Sequence, residues 1–172
     1  MGDIHLITIE EIQHLSRTKN ILWSKKNLKN VLHLEGEEFI LKALFNGGNS
    51  PNTFIPDEYY FGLDNRTTLS SEDVMVSLIN EPTIAGYTRQ TLSSTIGFTV
   101  IEVTTGVIRA QSVILTFQAV GSSWGPVSNL FMTDRADNSG FLIASVATGN
   151  TFIVNDGESV TMRMTFGLKD CA

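Results

Sequence analysis

Cysteine is almost absent from the 172-residue sequence, since Cys171 is its single cysteine. A disulfide within the chain is therefore excluded, which suits synthesis in a reducing cytoplasm. Histidine is also rare: His5, His14 and His33 are the three present, and their spacing is not that of a zinc site. We therefore expect surface or interface histidines, with no metal and no other cofactor.

The sequence also lacks the patterns of export and of membrane insertion. No basic region followed by an apolar run occurs at its start, and no run of about eighteen apolar residues occurs anywhere. Twelve Lys and Arg residues against eighteen Asp and Glu residues give a formal net charge of -6. An acidic chain of this kind predicts neither a nucleic-acid partner nor a membrane partner.

Patterns of catalysis are equally scarce. Residues 121–125, Gly-Ser-Ser-Trp-Gly, have the form G-x-S-x-G of a nucleophile elbow around Ser123. That motif requires a helix after the serine and a histidine later in the chain. Here residues 126–131 predict a strand and no histidine follows His33. With no phosphate loop or dinucleotide fingerprint either, we do not expect an enzyme.

What the sequence does contain is a series of short strands. Apolar residues occupy every second position in 113–119 and in 160–168, which is typical of half-buried strands. Further strands are predicted at 59–63, 97–104, 127–133, 140–147 and 151–154. Together they predict a mainly β protein, an antiparallel β-sandwich of the jelly-roll or immunoglobulin-like type. Its core should contain Leu115, Phe117, Met162, Met164 and Phe166.

Two short helices are expected beside the strands. Residues 35–45 have acidic residues in the first turn, apolar residues at helical spacing and glycines beyond the end, as in an amphipathic helix. Residues 70–73, Ser-Ser-Glu-Asp, resemble an N-cap for a helix over 74–79, which Pro82 would stop.

The charge distribution separates the first part of the chain from the rest. Residues 1–42 hold six basic and six acidic residues, whereas 43–172 hold six basic and twelve acidic ones. We therefore interpret residues 1–34 as an N-terminal arm and 35–172 as the sandwich domain. The arm is either a solvated face packed on its own sandwich or an element that docks on an acidic neighbour. Its candidate partner-binding residues are Arg17, Lys19, Trp23, Lys25, Lys26 and Lys29.

A series of motifs runs through the body of the chain: 60–69, 81–82, 86–90, 121–127 and 137–140. Over about residues 35 to 168, these motifs resemble a family of small virion structural proteins of tailed bacteriophages. The resemblance implies a non-enzymatic β-sandwich that assembles on the particle. Physically, the motif residues suit structural roles: tight turns, carbonyl or carboxylate clamps and a plug at one end of the sandwich. These residues are Gly62, Arg66, Gly86, Arg89 and Trp124.

The resemblance leads to an expected function in the virion, after assembly in the host cytoplasm. A capsid cement or decoration protein would bind the major capsid protein and further copies of itself, and would stabilise the shell by mass action. A tail or baseplate adaptor, or a receptor-contacting module, is the alternative. A carbohydrate-binding or glycan-cleaving sandwich is a third possibility, from another class of function.

Overall fold

The structure, a computed structural model, describes residues 7–45, 55–104 and 107–167. These residues are mainly β, with one α-helix and one short 3-10 helix. The strands are β1 Ile7–Leu15, β2 Ile21–Lys29, β3 Val31–Leu32, β4 Glu58–Asp64, β5 Gln90–Ser93, β6 Phe98–Thr104, β7 Val107–Ser112, β8 Leu115–Gln118, β9 Trp124–Thr133, β10 Leu142–Val154 and β11 Ser159–Phe166. The helices are α1 Leu34–Phe45 and the 3-10 helix Met75–Ser77.

The strands form two antiparallel sheets, as the sequence predicts for a β-sandwich. The first sheet has the order β2-β1-β11-β7-β6, with β8 also pairing with β11. The second sheet has the order β3-β10-β9-β4-β5. Buried side chains from both sheets form one hydrophobic cluster between them, and burial of that apolar surface is the main force that holds the two sheets together.

The predicted N-terminal arm is part of this sandwich. β1 lies between β2 and β11, and its register places Ile12 beside Met162. Ile9 and Ile12 are 0% exposed and belong to the central cluster. The structure therefore corrects the expectation of a separate arm, because this ladder crosses the boundary expected at residue 34.

A bulge explains why the apolar pattern of β1 escaped the sequence analysis. Pairing with β11 shifts by one residue between Ile9 and Glu11. The extra residue allows Ile9 and Ile12, three positions apart, to face the same core. A regular strand would place them on opposite faces.

Most of the predicted core is confirmed. Leu115, Phe117, Met162 and Met164 are all at most 3% exposed. Phe166 is half-buried instead, near the end of β11, where its ring packs edge-on against that of Phe98 with the centroids 5.2 Å apart. Full burial of one such side chain contributes about 1.5 to 3 kcal/mol to folding.

The helix predicted at 35–45 is confirmed as α1, which packs on β10 through the buried Phe39. Its Gly36 allows this approach, because the backbone oxygen of Ile143 occupies the space that a Cβ at position 36 would need. The helix expected over 74–79 is shorter, a single 3-10 turn with Val74 at its N-cap and no side-chain cap. The predicted strands at 140–147 and 151–154 are one strand, β10, whose pairing with β9 is irregular around Gly149.

Candidate functional site

The guanidinium of Arg66 is buried beside Asp64, at the end of β4. Arg66 Nε donates to both oxygens of Asp64 at 3.1 Å, and Nη2 donates to Oδ2 at 2.8 Å. Asn129 Nδ2 gives Asp64 Oδ1 a further hydrogen bond at 2.9 Å. Asp64 is 0% and Arg66 8% exposed. A charge buried this deeply is tolerated only when it is paired and hydrogen-bonded, as both groups are here.

Arg66 also connects three further segments of the chain. Its Nη1 donates to Asp73 Oδ2 at 2.9 Å, and its Nη2 donates to Ser145 Oγ at 2.7 Å. Ser145 Oγ lies 2.8 Å from His33 Nε2. We call this group, Asp64, Arg66, Asp73, Ser145 and His33, the Arg66 cluster. It joins β4, the 65–73 loop, β10 and the residue before α1 into one rigid unit.

Burial determines the charge of His33 in the Arg66 cluster. Arginine can only donate, so Ser145 Oγ accepts a hydrogen bond from Arg66. Ser145 Oγ and His33 Nε2 share a second hydrogen bond, whose donor depends on the tautomer of the imidazole. Burial and the positive charge of Arg66 lower the pKa of His33 from 6.5 to about 4, against weaker opposing effects of the Ser70 backbone, Asp73 and Glu35.

Ser145 and His33 have the separation of a nucleophile and its general base, but a different setting. Ser145 is 2% and His33 0% exposed, so a substrate has no path to the serine oxygen. Arg66 also donates to that oxygen at 2.7 Å, which lowers its electron density where a nucleophile requires the opposite. The pair is suited to holding β10 against the segment before α1.

Arg89 forms a second cluster at another end of the second sheet. It donates to both carboxylate oxygens of Glu81, from Nε at 2.9 Å and from Nη2 at 2.6 Å. Its Nη1 donates to the backbone oxygens of Ala136 at 3.0 Å and Asp137 at 2.9 Å. The guanidinium also lies 5.1 Å from the ring centroid of Phe131. Arg89 thus fixes the β9–β10 turn to the segment before β5.

Tyr87 extends this Arg89 cluster into the core. Its hydroxyl accepts the Leu63 N–H at 2.7 Å and donates to Glu81 Oε1 at 3.0 Å. Burial, and next the negative charge of Glu81, raise the pKa of Tyr87 well above 10. The Tyr87 ring contacts that of Trp124 edge-on with centroids 5.3 Å apart. Trp124 is 2% exposed.

The two motif glycines lie where side chains would collide. Gly62 is paired with Phe131 in the β4–β9 ladder, and the Phe131 ring covers the position of a Cβ at 62. Gly86 has φ +93° and lies beside the backbone oxygen of Val120. Such a positive φ is open to glycine at little cost.

Ser123, the serine of the G-x-S-x-G match, lies in the turn before β9. A strand follows it rather than the helix of a nucleophile elbow. Its Oγ accepts the backbone N–H of Asp156 at 3.0 Å. A cleft of about 430 Å³ adjoins it, and the carboxylate that lines this cleft, Glu81, already accepts from Arg89 and Tyr87. That carboxylate is therefore poorly placed to act as a general base.

The six candidate partner-binding residues of the predicted arm divide into inward and outward groups along β2 and the turn before it. Trp23 faces inward, with its ring 4.9 Å from that of Phe152, so it packs on its own sandwich. Lys25 is half-buried, with its ammonium against Gly149. The other four are exposed. Among them Arg17 pairs with Asp156 at 3.2 Å and Lys26 with Glu11 at 3.5 Å, whereas Lys19 Nζ donates to Ser159 Oγ at 3.3 Å and Lys29 has no ion pair with another described residue.

The histidines are not placed together. His5, like Cys171, lies outside the described residues. His14 is buried between the rings of Trp23 and Phe152 and lies 3.0 Å from Glu158 Oε2. Within residues 7–45, 55–104 and 107–167, no group of three or more His, Cys, Asp or Glu side chains could hold a metal ion.

The sequence analysis missed the partners of the two arginines. Asp64, Ser145 and His33 are far from one another in sequence and carry no spacing signal that points to a common cluster. The one local hint is Asp64-Asn65-Arg66, since an acid and a base two positions apart at a strand end can pair across a turn. The rest of the cluster depends on the sheet order.

Comparisons with protein-family models, with curated proteins and with solved structures found no match. In the part of the chain that the structure describes, no helix is long and apolar enough to cross a membrane.

Proposed function

We propose that the chain is a non-enzymatic structural protein of a tailed-bacteriophage virion, a capsid cement or decoration protein that binds the shell of the major capsid protein. The observation that carries this proposal is that the motif arginines are hydrogen-bonded within the chain itself. Arg66 and Arg89 direct their donors at carboxylates, a hydroxyl and carbonyls of the same chain. A rigid module with its polar groups bonded internally is suited to adhesion, in which binding free energy comes from the outer surface.

The exposed part of the basic segment supports an electrostatic contact with an acidic partner. Lys26 and Lys29 project from β2, at an edge of the first sheet, on a chain whose formal charge is -6. Such a local reversal of charge steers a partner of opposite sign toward one face. We expect the shell to be contacted here.

The test of the cement role uses virions of the phage that encodes the chain. Deleting its gene should lower the temperature at which heads release their DNA, and adding the purified protein should restore it with a stoichiometry near that of a shell subunit. Tail fractions, separated from heads, should contain none of this protein. A few copies per particle, all in the tail fraction, would contradict the cement role and support a tail or baseplate adaptor.

The site of contact is tested by charge reversal with a matched control. Lys29→Glu should reduce the number of copies bound to undecorated heads, and more strongly at low salt, because exposed charges are screened as salt increases. Arg135→Glu changes the charge by the same amount at another exposed position, in the β9–β10 turn. Equal binding by both variants would contradict the assignment of the contact to β2.

The absence of an enzymatic function is tested by a screen of esterase, glycosidase and peptidase substrates. We expect no turnover above background. Turnover that disappears in Ser123→Ala would contradict this part of the proposal and assign the reaction to the turn before β9.

A further inference from the structure

The cleft beside Ser123 lies where three separate segments of the chain meet. Asn65 follows β4, residues 80–84 follow the 3-10 helix, and residues 123–126 lead into β9 and form its start. The cleft has a volume of about 430 Å³, which is within the range of small-molecule sites in proteins. Its ligand class depends on the charge, the polar groups and the apolar surface of its walls.

The walls of the cleft are held in place by buried hydrogen bonds. The backbone oxygen of Arg66 accepts from Asn129 Nδ2 at 2.8 Å, which fixes the segment after β4. Glu81 accepts from both Arg89 and the Tyr87 hydroxyl, which fixes the segment before β5. A site on such a support is formed before its ligand arrives, so binding costs little conformational entropy.

The charge of the walls favours a neutral ligand. No Lys or Arg among the described residues lines the cleft, so it lacks the donors that hold a phosphate or a carboxylate. The carboxylate of Glu81 faces the Arg89 guanidinium, to which both of its oxygens are hydrogen-bonded. Its negative charge is therefore compensated within the chain, and the cleft has no uncompensated charge with which to bind an ion of either sign.

Several polar groups of the walls are available to a ligand. The Asn65 side chain and the Thr83 hydroxyl make no hydrogen bond to another described residue. Asn80 Nδ2 reaches the backbone oxygen of Asn65 only at 3.5 Å, longer than an ordinary hydrogen bond. A carboxamide presents a donor and an acceptor side by side. Two neighbouring hydroxyl groups of a sugar ring offer the complementary pair.

Apolar surface lies between these polar groups. Pro82, Ile84 and Pro126 line the cleft, and Ile84 is 50% exposed. Trp124 lines it as well, and its Nε1 is buried with no hydrogen-bond partner among the described residues. Buried donors normally have a partner. The wall therefore combines apolar contacts with donors and acceptors that the chain itself does not use.

We propose that this cleft binds a neutral saccharide through one hexopyranose ring. Asn65, Asn80 and Thr83 bond to its hydroxyl groups, while its C–H surface packs on Ile84 and Pro126. A peptide would bring a backbone that needs a row of partners, as at a strand edge, whereas the cleft offers separate side-chain groups. This site does not depend on the proposed function.

The experiment is an NMR titration of the full chain, labelled with ¹⁵N. The probes are the methyl glycosides of glucose, galactose, mannose and N-acetylglucosamine, each added to about 50 mM, because single sugar rings make few contacts and bind with millimolar constants. At least one should give saturable shifts of the Thr83, Ile84 and Gly125 amides and of the Trp124 indole N–H. The indole of Trp23, which packs on Phe152, is the internal control and should not shift.

A matched pair of variants tests the contact. Asn80→Gly removes one carboxamide at an exposed residue whose φ of 64° suits glycine, so the fold should be kept. It should raise the dissociation constant about fivefold or more, because hydrogen bonds to the sugar are lost. Asn27→Gly makes the same change at another exposed residue, with φ 56° in β2, and should leave the affinity unchanged.

Two further probes test the ligand class. Methyl glucuronide should bind no more tightly than methyl glucoside, because no cationic side chain lines the described part of the cleft. A capped Ala-Pro-Ala peptide should give no saturable shift at the same concentration. Tighter binding of the glucuronide would overturn the assignment to neutral sugars, and binding of the peptide without any glycoside would assign the cleft to a protein segment.

Two other results would overturn the proposal outright. The first is the absence of a saturable shift with all four glycosides at about 50 mM, a concentration at which millimolar binding is readily seen. The second is an equal affinity of the wild type and Asn80→Gly for a glycoside, which would show that the sugar binds outside this cleft.

Discussion

Gly62 and Phe131 face each other across the β4–β9 ladder, and the ring of Phe131 lies where the Cβ of any other residue at position 62 would be. The same ring lies under the Arg89 guanidinium. Because position 62 is a glycine, the Phe131 ring can pack directly on β4 and also contact the Arg89 guanidinium.

Substituting this glycine should destabilise the fold. Gly62→Ala forces the Phe131 ring to move and should cost about 1 to 3 kcal/mol, as overpacking does. Urea unfolding gives the free energy. In the double variant Gly62→Ala with Phe131→Leu, the smaller side chain should recover part of the loss, so the two substitutions should be non-additive. Strict additivity would show that the ring is not the obstacle.

Breaking the buried pair of Arg66 should be costly. Arg66→Met leaves the carboxylate of Asp64, which is 0% exposed, without its main counterion, and should lower the free energy of unfolding by about 3 to 5 kcal/mol. The control is Arg17→Met, because Arg17 pairs with Asp156 with its side chain 74% exposed. That surface pair should contribute at most about 1 kcal/mol. Similar losses in both variants would contradict the structure of the Arg66 cluster.

Acid should destabilise the protein through His33. The unfolded chain binds a proton on this residue near pH 6.5, whereas the folded chain binds it near pH 4, because burial lowers its pKa. The unfolded state therefore holds more protons between these two values, and stability falls as the pH is lowered across them, by about 3 kcal/mol in all.

The contribution of His33 is measured as a difference between two proteins. The free energy of unfolding in urea is measured for the wild type and for His33→Gln at a series of pH values. The carboxylates titrate in both proteins, so their contribution cancels in the difference. The stability of the wild type should fall more steeply below about pH 6.5 than that of the variant. Parallel curves would mean that His33 has the same pKa in the folded and the unfolded chain.

The first strand should be necessary for folding. Ile12→Ala removes a side chain that is 0% exposed and should cost about 2 to 5 kcal/mol. Ile21→Ala, at a residue 57% exposed in the neighbouring strand, should cost much less. Deleting residues 1–33 should then unfold the body rather than leave a folded sandwich that no longer docks. A truncated chain that is still folded by circular dichroism would contradict this prediction and support the hypothesis that residues 1–33 are a separate arm.

The sequence predicts the parts of this fold in which local pattern and tertiary environment agree. Alternation in β11 places Val160, Met162 and Met164 inside correctly, because that strand has a regular register against β8. In β1 and β2, bulges interrupt the alternation, and the basic side chains suggest solvent where Trp23 and Lys25 in fact face inward. The Arg66 cluster depends on residues that only the sheet order brings together.

The neighbouring position of β1 and β11 has a consequence for synthesis on the ribosome. β1 contains residues 7–15, and its partner strand β11 contains residues 159–166. A nascent chain therefore holds Ile9 and Ile12 without their final neighbours until nearly all of the described residues have been translated. Contacts so distant in sequence form slowly. During translation the chain must therefore avoid aggregation until β11 has been synthesised and can pair with β1.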